Sequence, residues 1–205
     1  MSKEKLTGIE FDALKEVVNI AAGNATTALS NLLNKKIDIA IPEVVFTNVE
    51  SVPKILGGMD TVAIGTYLNI DGDLKGSTLI ILQEKTAFHL VDLMMGSGEI
   101  KELDEMSESA LKEIGNILSG AYLNAMADFL ELKILPTVPY LCKDMVGAML
   151  SQVLAEQSLY TDKVLVNRTN LTVESEKIES HLIVLLDTKS MGKTVDIIDK
   201  KLCIQ

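Results

Sequence analysis

Sliding the chain against itself by 97 positions lays residues 12–42 over residues 109–139 without a gap, and 12 of the 31 aligned positions are identical. Composition alone gives about two such identities. The shared residues are Ala13, Leu14, Lys15, Glu16, Asn19, Ile20, Gly23, Ala28, Leu33, Lys36, Ile37 and Pro42, each recurring 97 positions later. A chain built this way must fold as two like halves. A weaker match at an offset of 104 pairs the run from Leu79 with the run from Ile183, so the second half holds seven extra residues between Pro139 and Ile183. Within that interval, residues 143–157 read as an amphipathic helix with a stripe of Met145, Met149, Val153 and Leu154, which suits a partner groove and equally ordinary core. The matching stretch of the first half, residues 51–59, contains one Pro and two Gly and has no room for so long a helix.

Each half reads as a long helix, a strand, a variable connection, a hairpin-like strand pair and a closing helix. Residues 107–130 carry apolar side chains at Leu111, Ile114, Leu118, Tyr122, Ala125 and Phe129, the spacing of a half-buried helix. Residues 12–33 repeat it through Leu14, Val17, Ala21, Ala28 and Leu32. Residues 61–70 and 75–83 are β-rich and flank Asp71-Gly72-Asp73, a tight-turn composition. Residues 164–173 and 178–187 repeat that arrangement around a turn at 174–177. The expected fold is α+β: an internally duplicated, pseudo-two-fold, mostly antiparallel sheet packed with two long helices. It forms one domain over 1–205 from repeats at about 10–106 and 107–205.

Composition narrows the function. A formal net charge of −10 and a near absence of Arg disfavour nucleic acid, whose phosphates need clustered cations. No apolar run approaches the ~20 residues of a membrane-spanning helix, and the N-terminal residues show no apolar export signal, so a cytoplasmic location is expected. Cys142 and Cys203 lie far apart with no C-x-x-C spacing, which argues for reduced, structural thiols. His89 and His181 stand apart from any Ser or Cys nucleophile motif and read as structural.

The polar residues of the long helices are ordered. Asp12, Glu16, Asn19 and Gly23 are spaced four, three and four apart, and Ser109, Glu113, Asn116 and Gly120 repeat them, so each set lies on one stripe. Glu and Asn on an exposed helix face are ordinarily solvated surface, yet Asn is a mediocre helix former, and here it sits mid-helix twice. A mid-helix Gly costs about 0.5–1 kcal/mol relative to Ala, so its recurrence implies close approach of a ligand or a neighbouring helix. An Asn amide is neither acid nor base at neutral pH and serves only to donate and accept hydrogen bonds, which suits positioning a water. The glutamine of GTP-hydrolysing switch proteins does this for attack on a phosphoryl group. No cluster of three acidic or His ligands is apparent, so no metal or cofactor of its own is expected, and a metal needed for phosphoryl transfer must arrive with the substrate.

The doubled pattern Asp/Ser-x-x-x-Glu-x-x-Asn, followed by twenty-two residues and a Pro, resembles the signature of the CheC/CheX/FliY phosphatases. Asp12, Glu16, Asn19 and Pro42 form one copy, and Ser109, Glu113, Asn116 and Pro139 the other. The resemblance implies hydrolysis of the aspartyl phosphate of the chemotaxis regulator CheY. Asn19 and Asn116 would then position water, Glu16 and Glu113 would dock a CheY lysine, and Mg²⁺ would be carried by CheY. It also implies binding of CheD, a receptor deamidase, at the extra helix through Asp144, Met145 and Met149. The competing expectation is a non-enzymatic adaptor for CheD or a flagellar switch component.

Overall fold

Thr7 and Glu10 close a capping box that starts α1 (Gly8–Leu33): the Glu10 backbone N–H donates to the Thr7 hydroxyl at 3.4 Å, and the Thr7 N–H donates to Glu10 at 2.8 Å. Asp104 stands 97 positions later and caps α4 (Glu105–Leu130), accepting from the Ser107 N–H at 2.7 Å. Both helices end on a residue in the left-handed conformation, Asn34 at φ 50° and its repeat counterpart Glu131 at φ 55°. The duplication is thus legible down to the caps. A computed structural model of the chain describes residues 6–96, 102–156, 163–173 and 175–202.

After α1 come β1 (Ile37–Asn48), a short helix α2 (Val52–Ile55), the hairpin β2 (Val62–Gly72) and β3 (Gly76–Gln83), and α3 (Glu84–Met95). After α4 come β4 (Ile134–Pro136), β5 (Tyr140–Met145), α5 (Val146–Glu156), the hairpin β6 (Lys163–Val173) and β7 (Glu176–Leu186), and α6 (Thr188–Lys201). The seven strands form one antiparallel sheet in the order β1-β6-β7-β3-β2-β4, with β5 also on β2. At its centre β3 pairs with β7, and Leu79 faces Ile183, its own repeat counterpart, so the pseudo-two-fold axis passes through that pair. Outside it the halves exchange strands: β1 pairs with the β6–β7 hairpin of the second half, and β4 and β5 pair with β2 of the first. Neither half closes its own sheet.

Alternation along the strands divides the core in two. Ile64, Ile80, Leu82, Leu165, Leu182 and Val184 point to one face and pack under α1 and α4. Leu79, Ile81, Val164, Val166, Ile183 and Leu185 point to the other and pack against Val146, Met149, Leu150 and Val153 of α5. The β2–β3 turn needs its glycine: Gly72 has φ +100°, and a Cβ there would lie 2.4 Å from the Lys133 carbonyl oxygen. Beside it Asp73 accepts from the Lys133 N–H at 2.9 Å and from the Lys193 ammonium at 3.2 Å, which together hold its carboxyl below the usual carboxylate range.

The expected elements are present, with three corrections. Leu32 is 41% exposed, because the helix turns its buried face through Leu29 and Leu33 instead. The extra helix begins at Val146 rather than at residue 143, since residues 143–145 are held in the β5 ladder against β2. Met149 is 2% exposed and belongs to the core under α5, so it is no docking residue on the free surface. Val153 is buried likewise, while the Leu154 side chain, Gln157, Glu174 and Cys203 lie outside the described residues.

The pseudo-symmetry breaks where the long helices meet the sheet. Gly115 brings α4 so close to β2 that a Cβ on it would lie 2.4 Å from Thr66 Cγ2, whereas its counterpart in α1 is the fully buried Val18. Ala21, Ala22 and Ala25 of α1 correspond to Leu118, Ser119 and Tyr122 of α4. The fully buried Tyr122 ring reaches the space beneath α1 that Ala25 leaves, and burial raises its phenol pKa. A cavity of about 30 Å³ remains there, lined by Val18, Ala21, Ala25, Tyr122 and Asn167. Replacing Gly115 with Val forces a β-branched side chain against a stiff neighbour. Gly115→Val is therefore expected to lower unfolding free energy by about 1–3 kcal/mol in a denaturant titration.

Candidate functional site

Helices α1 and α4 pack against each other across one sheet face, and the opposite side of each carries the polar stripe. Asp12, Glu16, Asn19 and Gly23 are exposed on α1; Ser109, Glu113 and Asn116 are exposed on α4, with Gly120 half-buried. The structure therefore brings each set together on one outward face. Pro42 and Pro139 act on the backbone: Pro42 falls at the irregularity of β1 between Ala40 and Glu43, and Pro139 falls between β4 and β5. With no N–H to donate, both interrupt the strand ladder at the same repeat position.

The nearby cations are turned away from the two glutamates. Lys15 reaches back to Asp12 at 3.8 Å and lies 4.6 Å from the Phe11 ring centroid, while Lys112 reaches back to Glu108 at 3.4 Å. Among the described residues, Glu16 and Glu113 have no ion-pair partner, and Asn19 and Asn116 have no side-chain hydrogen bond. Each stripe thus presents an unpaired carboxylate and an unengaged amide one turn apart. A Cβ built on Gly23 or Gly120 meets nothing within 4 Å. No neighbouring helix of the described chain accounts for these glycines, so the room they leave faces outward.

The two halves have diverged unevenly along the long helices. On the buried face of α1, Val17, Val18, Ala21, Ala22, Ala25 and Leu29 differ from their counterparts in α4, while Leu14 and Leu33 are kept as Leu111 and Leu130. Along the outward stripe, Glu16, Asn19, Ile20 and Gly23 are the same, while Asp12 is replaced by Ser109 and Ile9 by Met106. Common ancestry constrained mainly by packing leaves the reverse pattern, because exposed positions tolerate change best.

The remaining candidates separate by position. Asp144 and Met145 end strand β5; Asp144 Oδ1 accepts from the Met145 N–H at 2.7 Å, and Met145 is 44% exposed. His181 sits on the opposite sheet face from the long helices beside the Arg168–Glu179 ion pair, and burial lowers its imidazole pKa. His89 of α3 pairs with Glu176. Cys142 is half-buried, and burial raises its thiol pKa, which leaves a poor nucleophile. Among the described residues no three His, Cys, Asp or Glu side chains are grouped as a metal ion requires, and no helix is long and apolar enough to cross a membrane. One pair escaped the motif reading: Ile9 and Met106, exposed at the start of the two stripes. Extending the 97-residue offset upstream of Asp12 would have found it.

Comparison with known proteins gives the same geography. The CheC-like family matches residues 9–46 and 106–141, one segment in each half. The CheY-P phosphatase CheC of Bacillus subtilis is 35% identical over 190 residues, covering 90% of this chain and 91% of that protein. The flagellar motor switch phosphatase FliY of the same organism is 32% identical over 134 residues, which span 64% of this chain and 35% of FliY. The crystal structure of Thermotoga maritima FliY superposes with a TM-score of 0.77 at 25% identity, over 96% of this chain and 98% of that one.

The open space over the glycines has a direct consequence for stability. With no clash to offset the gain in helix propensity, Gly23→Ala and Gly120→Ala are each expected to raise unfolding free energy by about 0.5–1 kcal/mol. Chemical denaturation of the isolated protein checks this.

Proposed function

The chain belongs to the CheC-like family, and on that footing we propose that it hydrolyses the aspartyl phosphate of a CheY-type response regulator, using two sites centred on Asn19 and Asn116. The observation that carries this reading is the retention of Glu, Asn and Gly on the outward stripes of two helices at whose buried faces most positions differ. The similarity to CheC, named a CheY-P phosphatase, supports the choice of substrate.

The residue types fit the bond to be broken. The leaving group of an acyl phosphate is a carboxylate, whose conjugate acid has a pKa near 4, so it departs without being protonated. The transition state of phosphoryl transfer is loose and asks little of a general base. What remains is placing a water in line with the phosphorus, and an amide performs that by accepting a hydrogen bond from the water through Oδ1. In this reading Nδ2 donates to a phosphoryl oxygen, the water oxygen bonds to phosphorus as the phosphorus–carboxylate oxygen bond breaks, and inorganic phosphate and the free aspartate leave. Glu16 and Glu113, without a cation of their own, receive a lysine of the regulator. Such a pair is weak in water but gains when docking excludes solvent. The regulator brings the Mg²⁺ that its phosphoryl group requires, and the reaction belongs to the cytoplasm.

A second reading, an adaptor for CheD, draws on the exposed Met145 beside Asp144 at the end of β5. The two readings separate in one experiment. Phosphate release from the Mg²⁺-loaded phosphorylated regulator is expected to accelerate with this protein and to fall at least about 100-fold in Asn19→Ala/Asn116→Ala. Substitutions of Asp144 and Met145 should leave that rate alone and weaken CheD binding. Undiminished hydrolysis in the double Asn variant would sink the assignment of the amides.

A further inference from the structure

Bulky apolar side chains are exposed at matching places on the two long helices. Ile9 is 58% exposed and Met106, 97 positions later, is 63% exposed. Ile20 is 45% exposed, whereas its counterpart Ile117 is half-buried and packs on the core. On a helix of 3.6 residues per turn, Ile9, Glu16, Asn19, Ile20 and Gly23 fall within about 100° of arc, and the α4 set repeats that face. The apolar residues therefore bracket the carboxylate and amide along each stripe, one about two turns before the Glu and one a single turn after it.

From this we infer that Ile9 and Ile20 on α1, and Met106 on α4, are specificity contacts on which the phosphorylated regulator seats itself beside Glu16 or Glu113. The inference rests on the phosphatase reading and names the surface through which that reading discriminates its partner. Exposing an apolar side chain at the same register twice costs solvation that single scattered exposures do not explain. The chemistry of the face selects the occupant: an unpaired carboxylate flanked by apolar anchors, over a glycine that adds no side chain, fits a surface presenting a lysine within an apolar rim. A second copy of this chain fits poorly, since it carries a net charge of −10 and would bring acidic stripe against acidic stripe. Anchors of this kind act on docking rather than on chemistry, so they belong in KM.

The test is steady-state phosphate release at varied concentrations of phosphorylated regulator, for wild type and for Ile9→Ser/Ile20→Ser/Met106→Ser. The expected result is a rise in KM of about tenfold or more with kcat within twofold of wild type and an unchanged thermal midpoint. Leu at the same three positions should restore KM. A KM within twofold of wild type would overturn the inference while leaving the phosphatase reading intact, as would a change in oligomeric state of the Ser variant by light scattering. If wild type releases no phosphate, the phosphatase reading itself fails. Titration of the regulator activated with beryllofluoride then decides the surface: unchanged affinity in the Ser variant, or no binding at all, overturns it.

Discussion

The pairing of β3 with β7 is the constraint on which the rest of the molecule hangs. Once Leu79 faces Ile183 across the pseudo-axis, each half has one strand edge committed to the other half, and the first strand of each half finds its place only against its neighbour's hairpin. The helices that precede those first strands are carried to the same side of the sheet and lie against one another. Two like polar stripes on the outward side of one helix layer follow from strand exchange, with no further arrangement required. Stability and the placement of the stripes therefore share one set of hydrogen bonds.

Near a two-fold axis, residues related by the repeat compete for the same space. A bulky ring on both helices at the Ala25/Tyr122 position would demand twice the volume that one ring fills, so one copy became large and the other small. Gly115 opposite Thr66, against Val18 in the first half, is a separate asymmetry set by the contact of α4 with β2. The helices thus diverged inward, each fitting a different cavity, while their outward faces met the same demand.

Much of this was legible in the sequence because helical and strand periodicity is local. The 97-residue offset located α1 and α4, the turn residues located both hairpins, and the stripe of Glu, Asn and Gly lay on an exposed face as spacing implies. Strand exchange was not legible, since alternation tells a strand which way to face and nothing of which neighbour it will have. Residues 143–145 read as helix because Met145 extends the apolar stripe of Met149, Val153 and Leu154; pairing with β2 overrode that preference. Met149 could be read as docking surface or as core, and only the sheet beneath α5 settles it as core. The exposure of Ile9 and Met106 was hidden for a different reason: an apolar residue at a helix start is assumed to be buried until the packing partner is seen to be missing.

The cavity beneath α1 also makes the molecule lopsided in its volume. Space of about 30 Å³ sits under one long helix, while the other is seated against β2 closely enough to exclude a methyl group. Voids are eliminated on unfolding, so pressure weighs against the folded state in proportion to them, and this space, shared with Leu118 and Tyr122 of α4, is volume that pressure would reclaim.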